Sequence, residues 1–251
     1  MDENEIKIKV REDYGKIALQ TSGGCDCGCG CGPTTQDSSL AIGYSDEDLS
    51  GIPEDAILGL GCGNPIAESD LKEGETVLDL GSGGGIDCFF ASKKVGKTGK
   101  VIGVDMTTEM INRARETLKK ESLENVEFRL GEIENLPVAD NTVDLIISNC
   151  VINLSPDKEK VFQEAFRVLK PGGRKNVSDI VLVKDLPEKI KNDPNYYVGC
   201  ISGAIKEADY IGSIKKAGFQ NVESSKNFET GLDESKVLIK SVTVKAYKPN
   251  A

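Results

Sequence analysis

The stretch Val77-Leu78-Asp79-Leu80-Gly81-Ser82-Gly83-Gly84-Gly85 constrains this chain more than any other. An apolar run ends in a glycine-rich turn, and a second run, Val101-Ile102-Gly103-Val104, ends in Asp105. Glycines let the backbone approach a ligand without Cβ clashes. An acid at the end of the next parallel strand can accept both hydroxyls of a ribose. The pattern therefore predicts a parallel sheet holding a nucleoside-bearing ligand at its carboxyl edge. The dinucleotide fingerprint needs a sixth-position glycine, and Ile86 stands there instead. Asp79 just before the turn would repel a diphosphate and attract an ammonium or sulfonium.

The surrounding pattern alternates strand and helix. Strands are predicted over 76–80, 100–105, 125–130, 143–148 and 174–182, and helices over 86–95, 108–121 and 157–169. Lys170-Pro171-Gly172-Gly173 stops the last helix. Such alternation gives right-handed crossovers and a doubly wound α/β sheet. Before it, residues 1–20 read as a charged helix with Ile6, Val10 and Tyr14 on one stripe, and residues 21–39 as a flexible loop. Ser45-Asp46-Glu47-Asp48 is a capping box. Leu58–Pro65 is a turn. After it, 209–217 reads as a helix ended by Gly218, with closing strands over 222–228 and 237–247. The expected divisions are 1–55 (helix and Cys-rich loop), 56–185 (cofactor-binding core) and 186–251 (substrate region and closing strands).

With 251 residues, 38% hydrophobic and 29% charged, the chain can build a sizeable core. Its net charge of −10 argues against nucleic acid as a partner. No apolar run approaches a membrane span of ~20 residues, and Met1-Asp2-Glu3-Asn4-Glu5 lacks the basic and apolar regions of a signal peptide. The expectation is a cytoplasmic monomer with neither membrane nor nucleic-acid partners. There are eight cysteines and no histidine. Histidine-based nucleophiles and metal sites are excluded, so the chemistry falls to thiols, carboxylates, Lys, Tyr or a cofactor.

The glycine loop, Asp105 and the strand pattern resemble the class I S-adenosylmethionine-dependent methyltransferases, with a mostly parallel seven-stranded sheet. The resemblance implies that Asp79, Gly81, Ser82 and Gly83 hold the methionine end. It implies that Asp105 and Met106 hold ribose and adenine, that Glu132 and Ile133 flank the adenine, and that Asn149 helps close the pocket.

The thiols narrow this further. Four lie in Cys25-Asp26-Cys27-Gly28-Cys29-Gly30-Cys31; the others are Cys62, Cys88, Cys150 and Cys200. Cys88, on the helix after the glycine loop, reads as packing. Cys150 ends the fourth strand, at the edge where a substrate meets the cofactor. Cys62 sits in a turn that looks poor in packing partners, and Cys200 lies beyond the last parallel strand, where substrate lids are inserted. Three converging thiolates suit a thiophilic centre; zinc would want a fourth ligand, and the spacings are not zinc-like pairs.

The segments Leu60-Gly61-Cys62-Gly63-Asn64-Pro65, Ser148-Asn149-Cys150-Val151-Ile152-Asn153-Leu154-Ser155 and Tyr197-Val198-Gly199-Cys200 resemble the arsenite methyltransferases. So do Val104-Asp105-Met106-Thr107 and Gly131-Glu132-Ile133-Glu134-Asn135-Leu136-Pro137. The resemblance implies that Cys62, Cys150 and Cys200 bind trivalent arsenic, presented as a thiol conjugate. It implies that an N-terminal cysteine takes part in redox cycling, with Cys31 and Cys29 as candidates and Cys25 and Cys27 open, and that glutathione or thioredoxin is the reductant. Detoxification of arsenic is the implied role. A methyltransferase for an organic acceptor, or a non-catalytic arsenic-binding protein, are the alternatives. The chain departs from the family at Arg174-Lys175-Asn176, where polar residues enter a strand that should be buried and cost stability unless paired.

Overall fold

The computed structural model describes residues 3–19, 35–191, 193–232 and 237–250. The strands are β1 (Thr76–Leu80), β2 (Lys100–Asp105), β3 (Val126–Leu130), β4 (Val143–Asn149), β5 (Leu169–Leu182), β6 (Gln220–Leu232) and β7 (Val237–Tyr247). They form one sheet in the order β3-β2-β1-β4-β5-β7-β6. The first five run parallel, and β7 pairs antiparallel with both β5 and β6. Strand order reverses between β1 and β4, which opens the crevice where such sheets bind ligands.

Both sheet faces are covered, which is why β1 and β4 read as near-continuous apolar runs. Val77, Val101, Leu145 and Ile147 face one layer, in which α4 (Ile86–Val95) and α5 (Thr108–Glu121) pack. Leu78, Leu80, Ile146 and Val177 face the other, with α6 (Lys158–Val168) and α9 (Glu207–Lys216). Phe162 of α6 and Tyr210 of α9 meet edge to face at 5.3 Å.

Most elements lie where the sequence puts them, and the differences have local causes. Helix α2 (Thr35–Ala41) occupies the end of the stretch read as a loop; buried Ser38 and Ser39 satisfy its inner face, and Ser39 Oγ donates to Thr35 O at 3.0 Å. The rest of that stretch lies outside the described residues. The capping box forms as expected: Ser45 caps α3 (Asp46–Leu49), and Ser45 and Asp48 exchange hydrogen bonds. Strand β5 starts at Leu169, ahead of the Pro-Gly-Gly stretch, with an irregularity in its pairing to β4 between Val143 and Leu145. Two short helices, α7 (Glu188–Lys191) and α8 (Pro194–Val198), precede Cys200 and have no apolar periodicity to announce them.

The polar residues of β5 divide. Arg174 is paired: it forms two hydrogen bonds to Glu75 (2.7 and 2.9 Å) and donates to Ser69 O and Asp70 O. Asn176 donates to Pro65 O at 2.7 Å, tying the Cys62 loop to the sheet, while its Oδ1 has no partner. Lys175 is 1% exposed, and its Nζ has no hydrogen-bond partner. It lies 5.0 Å from the Phe162 ring centroid and 5.8 Å from that of Phe219. Burial pushes its pKa down to about 7. The expected cost of polar residues in this strand therefore falls mainly on Lys175.

Candidate active site

The glycine loop leaves β1 and turns back across β2: the Gly81 and Ser82 amides both donate to Val104 O, at 2.7 and 3.0 Å. Gly81 has φ +69°, and a Cβ there would stand 2.4 Å from Val151 Cγ1. Only glycine lets the loop pass the segment that follows Cys150. Asp105, at the tip of β2, accepts from the Gly83 amide (3.0 Å) and the Thr107 amide (2.8 Å). Asp79, Ser82, Asp105, Met106 and Ile133 line one cavity at this sheet edge. Glu132 is turned away from it: its carboxylate takes Lys7 and Arg11 of helix α1 (Glu3–Leu19), each at 2.7 Å. Glu134 lines the cavity in its place. Helix α1 thereby forms one wall, contributing Val10, Tyr14 and Ile17.

The cavity is electrostatically lopsided. Burial, then the neighbouring Asp87 charge, holds Asp79 well above the usual carboxylate range. Burial raises Asp87 to about 6, against the hydrogen bond from Tyr44. Burial raises Asp105 too, with the Thr107 and Gly83 amides opposing. Desolvated carboxylates without a cation favour a positively charged ligand, and the glycine cradle leaves room for its backbone-like end.

Beside this cavity lie three cysteines distant in sequence: the Cys62 and Cys150 sulfurs share a cluster within 4.8 Å that takes in Asp179 but not Cys200, whose thiol reaches the Cys150 carbonyl instead. Cys150 follows β4 with φ +59°, and Cys200 follows α8 with φ +62°. Left-handed backbone costs a non-glycine residue of order 1–3 kcal/mol and persists where surroundings impose it. The Cys200 thiol donates to Cys150 O at 2.7 Å, and the Cys150 amide donates to Ser178 O at 2.7 Å. Cys150 and Cys200 line the cavity. Cys62 is 3% exposed and packs with Ile180 and Leu182, so its turn is better packed than the sequence suggests. Its Sγ lies within 4.8 Å of Cys150 Sγ. Burial pushes Cys62 up. At Cys150 the Cys200 thiol acts to lower the pKa, but the Cys62 thiol and burial prevail and hold it well above the ordinary value. Cys200 is raised by the Cys150 thiol and by burial, while the Tyr14 hydroxyl acts to lower it. Cys88 is fully buried in the core, with its thiol donating to Asp79 at 3.3 Å. Cys29 and Cys31, with Cys25 and Cys27, lie outside the described residues.

Asn149 holds the Cys62 loop in place. Its Oδ1 accepts from the Cys62 amide (2.9 Å), and its Nδ2 donates to Gly63 O (2.7 Å) and to Tyr44 Oη (3.1 Å). Ser241 Oγ caps the Cys62 carbonyl from β7. Sequence reasoning missed Tyr14, Tyr44 and Asp179. Tyr14 was visible only as part of an apolar stripe, and Asp179 only as one polar residue in an irregular strand.

Residues 71–235 match the model of a methyltransferase domain family. An arsenite methyltransferase of Halobacterium salinarum is 44% identical over 99% of this chain and 68% of its own length. The chain belongs to the arsenite methyltransferase family. Another arsenite methyltransferase, from Homo sapiens, is 36% identical over 86% of this chain and 58% of its own length. A third, from Aquipseudomonas alcaligenes, is 38% identical over 84% of this chain and 61% of its own length. The chain thus spans about three fifths of the length of these two relatives. Among solved structures, an arsenic(III) S-adenosylmethionine methyltransferase from Chlamydomonas reinhardtii superposes with a TM-score of 0.67 at 34% identity. That match covers 87% of this chain and 75% of the other. The seven-stranded order is that of the class I methyltransferase fold, as expected from the sequence. Among the described residues, no helix is long and apolar enough to cross a membrane.

Proposed function

We propose that this chain transfers the methyl group of S-adenosylmethionine to trivalent arsenic held by Cys62, Cys150 and Cys200. The observation that supports the reading is the approach of the Cys62 and Cys150 sulfurs to within 4.8 Å, with the Cys200 thiol on the Cys150 carbonyl, beside a cavity lined by Asp79, Gly81 and Asp105. Asp79, Gly81, Ser82 and Gly83 would receive the methionine end, Asp105 and Met106 the ribose and adenine, and Ile133 the adenine face. Asn149 acts from the rim, by holding the Cys62 loop. The bound cofactor supplies an electrophilic methyl on a sulfonium.

Arsenic bound by three sulfurs is pyramidal and keeps a lone pair, which attacks the methyl carbon. No proton leaves the nucleophile in that step, so a site without histidine suffices. The protein's contribution is alignment: holding the reacting atoms ~3–3.5 Å apart is worth roughly 7–11 kcal/mol. The positive left-handed φ of both Cys150 and Cys200 fits such alignment, since strained backbone concentrates where position matters. Transfer oxidises arsenic formally to the pentavalent state. Two cysteines return the electrons as a disulfide, with Cys62 and an N-terminal cysteine, Cys29 or Cys31, as the pair. An external thiol, glutathione or thioredoxin, reduces it by exchange. Arsenic arrives as a thiol conjugate, and detoxification follows from its chemistry. We place the protein in the cytoplasm as a monomer, without nucleic-acid or membrane partners.

The test is to replace Cys150 or Cys200 by serine. Each variant should bind S-adenosylmethionine like the parent chain in calorimetry while losing arsenite methylation, read by mass spectrometry of arsenic species. Arsenite turnover retained in either would refute the assignment. Activity surviving a thiol-blocking reagent would favour an organic acceptor instead.

A further inference from the structure

Asp179 has no part in the reaction just described, yet it is built into the thiol cluster. It stands on β5, is 1% exposed, and has one carboxylate oxygen that lies, with Cys62 Sγ and Cys150 Sγ, within 4.8 Å of the other two. It is held firmly. Oδ1 accepts from Asn153 Nδ2 (2.8 Å) and from the Ile180 amide (3.0 Å), and Oδ2 accepts from the Tyr210 hydroxyl (3.2 Å). Burial raises its pKa to about 6, with the Lys158 charge among the groups opposing. A carboxylate is a poor ligand for trivalent arsenic beside three thiolates, and arsenic needs no fourth donor.

We propose that Cys62, Cys150 and Asp179 form a second, overlapping coordination site, an S2O set for a borderline-soft divalent cation such as zinc, which competes with arsenic for the two shared sulfurs. The proposal rests on the reading of Cys62, Cys150 and Cys200 as arsenic ligands. Zinc accepts thiolate sulfur at about 2.3 Å and carboxylate oxygen at about 2.0–2.2 Å, in tetrahedral geometry. Neighbouring ligand atoms then stand roughly 3.3–3.8 Å apart by the same geometry. Donors already within 4.8 Å need to close by about an ångström, with the two cysteine side chains moving toward an Asp179 that its hydrogen bonds hold in place. Three protein donors leave one position for an external ligand. On binding, each thiol gives its proton to solvent as its sulfur takes the cation. Two thiolates and a carboxylate around a dication leave one net negative charge, and Lys158 offsets part of it through its attraction to Asp179.

The two donor sets share two residues and differ in one: Cys200 serves arsenic and Asp179 serves the divalent cation. That difference makes the proposal separable. The test uses the full chain with Cys25, Cys27, Cys29 and Cys31 replaced by serine, because the alternating thiols would take zinc themselves. Zinc affinity is read by competition with a chromophoric chelator, and arsenite binding is measured in parallel. The parent of this series should bind one zinc, and arsenite should displace it. Asp179→Asn should lower zinc affinity by tenfold or more while keeping arsenite binding, which also reports that it folds. Cys200→Ser should do the reverse. Equal zinc affinity in Asp179→Asn and the parent would overturn the proposal, as would zinc loss in Cys200→Ser. Normal arsenite binding by Cys200→Ser would overturn the arsenic reading alone. Zinc-edge X-ray absorption of the parent of this series gives an independent check: two sulfurs with oxygen neighbours are expected, and an all-sulfur shell would contradict the site.

Discussion

Replacing Asn149 with alanine removes one side chain that ties three elements together. Its amide bonds the Cys62 N–H, the Gly63 carbonyl and the Tyr44 hydroxyl at 2.9, 2.7 and 3.1 Å. Each such bond contributes a net ~1 kcal/mol, and a buried partner left without one costs about 1–3 kcal/mol. Cys62 and Gly63 are both buried, so two backbone groups are orphaned at about 1–2 kcal/mol each, the lower part of that range because the space left by the amide admits water. We expect a decrease of about 2–4 kcal/mol in unfolding free energy. For a chain of this size that is roughly 6–12 °C in Tm. A local consequence is more telling. Cys62 is 3% exposed with its loop tied down, and freeing the loop should raise its labelling rate with an aromatic disulfide reagent well above that of Cys88. Urea unfolding gives the first quantity and mass-resolved thiol labelling the second. A change under 1 kcal/mol with Cys62 still protected would refute the view that Asn149 positions this cysteine.

Other perturbations probe other parts. Gly81→Ala sets a Cβ 2.4 Å from Val151 Cγ1 at φ +69°, so it should weaken S-adenosylmethionine binding at least tenfold in calorimetry; unchanged affinity would contradict the cradle. Lys175→Met should stabilise the fold by up to a few kcal/mol at neutral pH, since it removes a buried amine whose pKa burial has pushed down to about 7. A depressed lysine pKa penalises the folded state fully below pH 7, and the penalty fades as pH rises toward 10.5, because the unfolded chain then binds more protons. The parent chain should therefore gain stability between pH 7 and 10 in denaturant titrations, and Lys175→Met should lose that slope. An identical slope in both would show that Lys175 is not desolvated.

The part of the fold that the sequence made legible is the part governed by continuous burial. Strands β1, β2 and β4 are buried on both faces, so their apolar runs leave little choice of structure, and the glycine loop turns where the sequence put it, between β1 and α4. Helix α5 also lies where the strand–helix alternation put it, over 108–121. Elements stabilised by tertiary contact were harder to see. Strand β7 is the exception, foreseen over 237–247 from its alternation; what the sequence hid is that its second face is buried too, where Ser241 and Thr243 share hydrogen bonds with Asn227. Helices α7 and α8 are too short to show a period. At the site, the thiols were legible because cysteine is rare and their local segments resemble those of a known family. Asp179 was not, because its meaning lies in who stands opposite: only the fold brings β5, the Cys62 turn and the end of β4 to one point. Glu132 shows the converse. The family resemblance implies that it flanks the adenine; the structure adds that two cations of α1 pair with its carboxylate, a contact that no local pattern encodes.

The central claim is that one arsenic atom is held by three sulfurs drawn from positions 62, 150 and 200. Arsenic-edge X-ray absorption on the chain lacking its N-terminal cysteines, after addition of one equivalent of arsenite, reads the coordination shell directly. Three sulfur neighbours in that chain, falling to two when any one of these cysteines becomes serine, is the predicted result. A shell of oxygens, or three sulfurs persisting in those variants, would contradict it.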